Sequence, residues 1–169
     1  MAATPRDTVD RISDEWAAVR PDLDSSPLAV VGRVSRLSRL LDRRLAENFA
    51  RHGIEAWMYD VLATLRRSGE PYEMTAGELV ARTMVTTGAM TNRVDRLVER
   101  GLVSRATAGD RRKVLVRLTP AGRALVDEVV PGHLATEREA LSALTAGQQR
   151  DLVHLLRLLL VGLGDRPDG

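Results

Sequence analysis

The sequence predicts a mainly α chain with one short β hairpin, and three observations carry that expectation. Hydrophobic residues make up 44% of the 169 but aromatics only 3%, so the core must be aliphatic, which suits helices more than sheet. Apolar residues recur at three- and four-residue spacing over most of the chain. Only residues 103–106 and 113–118 read as strands, joined by the charged loop 107–112. The length suits one domain.

Residues 7–19 form the first expected helix, with Thr4 or Thr8 as cap and Val9, Ile12, Trp16 and Val19 as its apolar stripe. The run 20–27 breaks it with two prolines and an Asp/Ser cluster. Residues 28–52 read as a long helix with Val30, Val34, Leu37, Leu41, Leu45 and Phe49 as spine, ended by Gly53. Its polar face carries Arg33, Arg36, Arg39, Arg43 and Arg44. These could form intersubunit ion pairs or add to a field for DNA, but a solvated face is the default. Residues 54–67 form the next helix, lined by Trp57, Met58, Val61, Leu62 and Leu65, and 68–71 close it.

The stretch 75–118 organises the rest. Residues 75–82 and 86–100 read as two helices separated by a short turn, with Gly101 supplying the left-handed stop. Met90, Val94, Leu97 and Val98 make the second helix's buried stripe. Thr87, Thr91, Asn92 and Arg96 fall outside it. Asn can pair with adenine, Arg with guanine or phosphate, and a Thr methyl can touch thymine. Alone, this is also the pattern of an ordinary surface helix. The hairpin decides between the two. Eight basic residues lie from Arg93 to Arg117, opposed only by Asp95, Glu99 and Asp110, and Arg111, Arg112 and Lys113 sit at or beside the hairpin tip. An arginine there can reach phosphates or enter a narrow minor groove, with Asp110 holding it in position. Helix, turn, helix and charged hairpin together predict a winged helix-turn-helix with a two-stranded β wing, a reader of double-stranded DNA.

After the hairpin, Thr119 and Pro120 open another helix, which Pro131-Gly132 should kink or interrupt before it continues over 134–144. Thr145 to Gln149 cap a last helix carrying Leu152, Leu155, Leu156, Leu159, Leu160 and Leu163. Residues 165–169 are a polar tail. The terminal helices are more apolar than a small DNA-binding lobe needs. That excess suggests N- and C-terminal dimerisation helices, and a two-fold dimer suits a palindromic operator with half-sites roughly 34–36 Å apart.

Composition excludes several classes. There is no cysteine, hence no disulfide, thiol sensor or thiolate metal site. His52, His133 and His154 lack metal-ligand spacing, so neither metal nor cofactor is expected, and no nucleophile–base motif suggests an enzyme. No apolar run is long enough to span a membrane and no leader is evident, which points to the cytoplasm, with the nucleoid as the site of DNA binding. Of the 25 basic residues only Lys113 is lysine, a bias that a GC-rich genome explains better than DNA contact does.

The run Gly101-Leu-Val-Ser-Arg105, followed by Gly109-Asp-Arg-Arg-Lys-Val-Leu-Val-Arg-Leu-Thr-Pro-Ala-Gly-Arg123, resembles the wing signature of MarR-type transcriptional regulators, and the resemblance extends over nearly the whole chain. It implies that Asp110 and Arg112 support and deliver a minor-groove contact. It also implies a single domain over 1–169, in which 54–118 form the DNA-binding lobe and 1–53 with 119–164 the dimerisation helices.

Four further residues stand out: Trp16, Asp60, Arg67 and Arg93. Asp60 and Arg67 are seven apart on one helix face and interrupt an apolar helix. Individually each has a plain reading: Trp16 as core, Asp60 with Arg67 as an ion pair, Arg93 as a phosphate contact. Together they resemble the urate-responsive PecS- and HucR-type subgroup of the MarR family, marked by an added N-terminal helix with a Trp, an Asp and Arg before the helix-turn-helix, and an Arg in the recognition helix. Residues 20–24, 59–67 and 71–72 are similar to the PecS type, and 118–126 and 133–136 to the HucR type. The resemblance implies a homodimeric repressor whose effector is urate or a xanthine-like purine. Urate is a flat anion that Trp16 could stack on and Arg93 could pair with. The alternative is a MarR-type regulator that responds to phenolic or aromatic acids, or to no small ligand.

Overall fold

The computed structural model describes residues 5–83, 86–107 and 114–166, and these form two compact units, residues 1–46 and 47–169. The first holds helix α1 (Thr8–Val19) and most of α2 (Leu28–Arg51). Asp7, rather than Thr4 or Thr8, caps α1. Its side chain accepts from the backbone of Val9 and Asp10, and Asp10 reciprocates, a capping box. Arg33 of α2 pairs with Asp7 at 2.8 Å and Asp10 at 2.6 Å, tying the two helices together. Of the expected stripe on α1 only Val9 is buried. Val30, Val34 and Leu37 on α2 are exposed as well.

The second unit begins at the end of α2 and contains α3 (Ala56–Arg67), β1 (Glu73–Thr75), α4 (Ala76–Thr83), α5 (Thr87–Glu99), β2 (Val103–Thr107), β3 (Val114–Leu118), α6 (Pro120–Ala140) and α7 (Ala146–Gly162). Its core is Met58, Val61, Leu62 and Leu65 of α3, Leu79 of α4, Met90, Val94 and Leu97 of α5, and Val116 of β3. Each is five per cent exposed or less, and for the residues of α3 and α5 this is the burial their spacing predicted. Val98 is the exception in the α5 stripe and faces out.

The sheet and helix α6 also differ from the sequence reading. The sheet has three antiparallel strands in the order β1-β3-β2, with Glu73 opposite Arg117 and Val103 opposite Leu118. The added strand β1 takes Thr75 out of the helix, and Arg117 pairs with Glu73 across it at 2.6 Å. Helix α6 runs through Pro131 without interruption. Pro131 is exposed, so the carbonyl of Asp127 that loses its helical donor lies on the solvent side, where water can satisfy it.

The turn after α5 sets where α6 begins. Gly101 has φ +68°, Leu102 N–H donates to the Leu97 carbonyl and Gly101 N–H to that of Val98, a Schellman closure. The Leu102 carbonyl then accepts from Thr119, whose hydroxyl caps α6 by accepting from Gly122 N–H. A Cβ on Gly122 would lie 1.9 Å from the Leu102 carbonyl oxygen, so only glycine permits this approach. Tyr72 strengthens the same corner. Its ring meets the guanidiniums of Arg66 (4.9 Å) and Arg123 (4.8 Å), both of which pair with Asp127.

Candidate nucleic-acid interface and effector site

Helix α5 is the recognition-helix candidate. Thr86 caps it, accepting from Ala89 N–H at 3.3 Å. Met90, Val94 and Leu97 face the core, which turns Thr87, Thr91, Asn92 and Arg96 outward, and all four are exposed. The Thr91 hydroxyl donates to the Thr87 carbonyl at 3.1 Å. The wing strands β2 and β3 pair antiparallel, from Val103 opposite Leu118 to Thr107 opposite Val114. The tip residues Asp110, Arg111, Arg112 and Lys113 lie outside the described residues.

Among the described residues, most of the basic cluster is an internal brace. Arg105 pairs with Asp95, tying β2 to α5, and Arg117 pairs with Glu73. Arg100 donates to the Gly53 carbonyl at 3.1 Å and approaches the Met58 sulfur. Arg96 donates to Glu55 at 2.8 Å and lies 4.7 Å above the Trp57 ring. The summed charge from Arg93 to Arg117 therefore overstates what is free for phosphate.

Three of the four predicted effector residues come together in the second unit. Trp57, Asp60, Thr64 and Arg67 follow one another at helical spacing along one face of α3. Arg93 of α5 lies against it, its guanidinium 5.8 Å from the Trp57 ring. Part of the Asp60 side chain meets solvent, yet burial around the carboxyl pushes its pKa above the ordinary value. Arg93, Arg67 and His133 oppose that shift through their charges. Neither arginine closes an ion pair with Asp60 within 4 Å among the described residues. Arg67 instead donates to the Thr64 hydroxyl (3.1 Å) and the Ala63 carbonyl (3.3 Å). Trp16 belongs to the first unit, and about half of its surface is exposed.

The sequence reading missed Trp57 and Glu55. Trp57 fits the apolar stripe of α3 as core, but its ring serves as a platform for Arg93 and Arg96. The available signal was its position three residues before Asp60, on the same face. Glu55 carried none, since its partner Arg96 is 41 residues away.

Comparison with known proteins agrees with this layout. The MarR family model matches residues 52–113, which span α3 to the wing. The transcriptional regulator PecS of Dickeya dadantii (strain 3937) is 40% identical over 152 residues, covering 89% of this chain and 90% of PecS. A mutant MarR of E. coli complexed with operator DNA superposes with a TM-score of 0.73 at 30% identity, covering 82% of this chain and 99% of that one. Bordetella bronchiseptica BpsR, whose DNA binding is regulated by 6-hydroxynicotinic acid, superposes with a TM-score of 0.68 at 28% identity, covering 77% and 93%. Sequence, fold and recognition-helix geometry converge: the chain belongs to the MarR family of DNA-binding transcriptional regulators, and is not an enzyme.

Proposed function

We propose that the chain acts as a homodimeric repressor that leaves a palindromic operator when urate or a related purine anion binds beside the recognition helix. The observation that carries this reading is Arg93. It sits on α5, lacks an ion-pair partner among the described residues, and shares the field around Asp60 with Arg67. A planar anion would supply the charge both guanidiniums lack, and a guanidinium fork suits the edge of such an anion better than an ammonium does. Because Arg93 is part of α5, moving it moves the DNA-reading surface. A ligand that favours the displaced helix therefore disfavours the DNA-bound form by its difference in affinity. Trp16 is the fourth member of the proposed site.

Asn92, Thr87, Thr91 and Arg96 would read the major groove, with Arg111, Arg112 and Lys113 contacting the backbone or minor groove and Asp110 supporting them. The dimer reading is supported by α7, a helix of 17 residues with none buried, and by exposed Leu155, Leu158, Leu159, Leu160 and Leu163. A second copy of the chain would cover them, with residues 1–53 and 119–164 supplying the interface. Among the described residues no helix is long and apolar enough to cross a membrane, and a cytoplasmic location fits DNA binding.

BpsR, with an aromatic acid as its regulator, favours a second reading in which the same arginines receive an aromatic carboxylate. A gel-shift titration separates the two. It uses DNA from upstream of the chain's own gene and adds urate, xanthine, hypoxanthine or salicylate. Release by urate at sub-millimolar to millimolar levels supports the purine reading. Release by salicylate alone transfers the site to aromatic acids, and no release by any of them removes its sensory role.

A further inference from the structure

Glu55 holds the N-cap position of α3, yet its side chain makes no capping hydrogen bond. Glutamate is not a favoured N-cap residue, so its presence there needs another reason. Its carboxylate is turned to the recognition helix instead, where it accepts from Arg96 at 2.8 Å. The indole N–H of Trp57 and then Arg96 hold that carboxyl below the usual range. The circuit closes on itself: Arg96 also lies over the Trp57 ring at 4.7 Å. Arg93 and Arg96 of α5 and Arg100 at its C-cap all meet this end of α3, but they meet it differently. Arg100 points to a backbone carbonyl and a sulfur. Arg96 keeps about half of its side chain in solvent and lines an open groove of about 320 Å³ with Gly88, Ala89 and Asn92, beside the outward face of α5.

A guanidinium has five donors in a fixed plane. Arg96 spends one nitrogen on Glu55 and one face on Trp57, which leaves its other donors available on a guanidinium held at two points. A free arginine finds phosphate on any sequence. A braced one gains only where the duplex presents an acceptor at the right place, and it gives up less side-chain entropy when it does. Glu55 also cancels much of Arg96's charge, which weakens sequence-independent attraction.

We propose that Glu55 and Trp57 are positioning residues for operator discrimination, orienting Arg96 for DNA from outside the recognition helix. The proposal rests on the reading of Arg96 as a DNA contact, and the test keeps the two apart.

The full-length protein is titrated onto two duplexes, one from upstream of its own gene and one of mixed sequence, at several salt concentrations. Glu55→Gln keeps an acceptor without the charge. Trp57→Leu removes the π face, and Trp57→Phe preserves one. For Glu55→Gln the ratio of specific to mixed-sequence affinity should fall about tenfold, and the salt slope on mixed DNA should steepen by up to about one. Trp57→Leu should lower the ratio similarly, and Trp57→Phe should retain most of it. In an Arg96→Ala background neither Glu55→Gln nor Trp57→Leu should lower the ratio further.

An unchanged ratio for Glu55→Gln, with a lowered one for Arg96→Ala, overturns the bracing role and leaves the DNA contact standing. An unchanged ratio for Arg96→Ala removes the contact reading and the proposal with it. Effects of Glu55→Gln that persist without Arg96 assign Glu55 to the fold. Glu55 is a surface side chain, so its variant should fold even where Trp57→Leu does not.

Discussion

Helices α3 and α7 both carry apolar residues at helical spacing, and they end in opposite environments. Six of the twelve residues of α3 are buried, among them Leu62 and Leu65 with no exposed surface. None of the seventeen residues of α7 is buried, and Leu163 is 86% exposed. Spacing alone does not separate them. The difference lies in what the chain supplies around each helix. The sheet, α4, α5 and α6 surround α3, whereas no element of the second unit buries a residue of α7 among the described residues. An apolar face left uncovered on this scale is a place where another surface is expected to complete the burial. The lobe should thus stand on its own packing, while the terminal helices depend on association.

Substitutions can break that comparison directly. Leu97→Ala in α5 empties a fully buried site and should cost about 2–5 kcal/mol in urea unfolding. Leu159→Ala in α7 should cost well under that when unfolding is followed at low protein concentration. Equal losses would mean that α7 is packed within the chain after all. Gly122→Ala drives a methyl into the Leu102 carbonyl and should cost about 1–3 kcal/mol, read from the same unfolding curves. A neutral result would show that α6 can slide without cost. The pair Leu155→Asp and Leu159→Asp should leave the lobe's unfolding intact. It should convert a dimer to a monomer by light scattering and weaken operator binding about tenfold or more, since both half-sites are no longer held together. An unchanged mass would end the proposed role of α7.

Asp60 gives the smallest effect and a defined sign. Its folded pKa lies above the ordinary carboxylate value because of burial, so the ionised form opposes folding. That penalty is present at neutral pH and is relieved as pH falls through the folded value. Asp60→Asn should therefore raise the melting temperature slightly at pH 7 and make no difference near about pH 3. A drop at pH 7 would show that Arg93 and Arg67 outweigh the burial.

Most of the lobe was legible in the sequence because its signals are local. Met90, Val94 and Leu97 announce a buried face, Gly101 a stop, and Thr119-Pro120 a start. What escaped was set by partners far along the chain. The strand β1 is three residues long and exists only through its pairing with β3. Pro131 obeys a local rule that an exposed position relaxes. Trp57 has core spacing, and only the fold reveals the guanidiniums over its ring. The proposed effector site was legible in part for the same reason. Asp60 and Arg67 share a helix and could be paired by counting, whereas placing Arg93 against them required the packing of α5 on α3.

The central claim is that an anion acts on α5 through the arginines beside Asp60. The most direct measurement is a urate titration of the operator complex with the native chain and Arg67→Ala side by side, since Arg67 lies off the recognition helix. The account expects operator affinities within about threefold of each other and half-release of the variant at tenfold or more urate. Identical release curves would contradict it and return Arg67 to its bonds with Thr64 and Ala63.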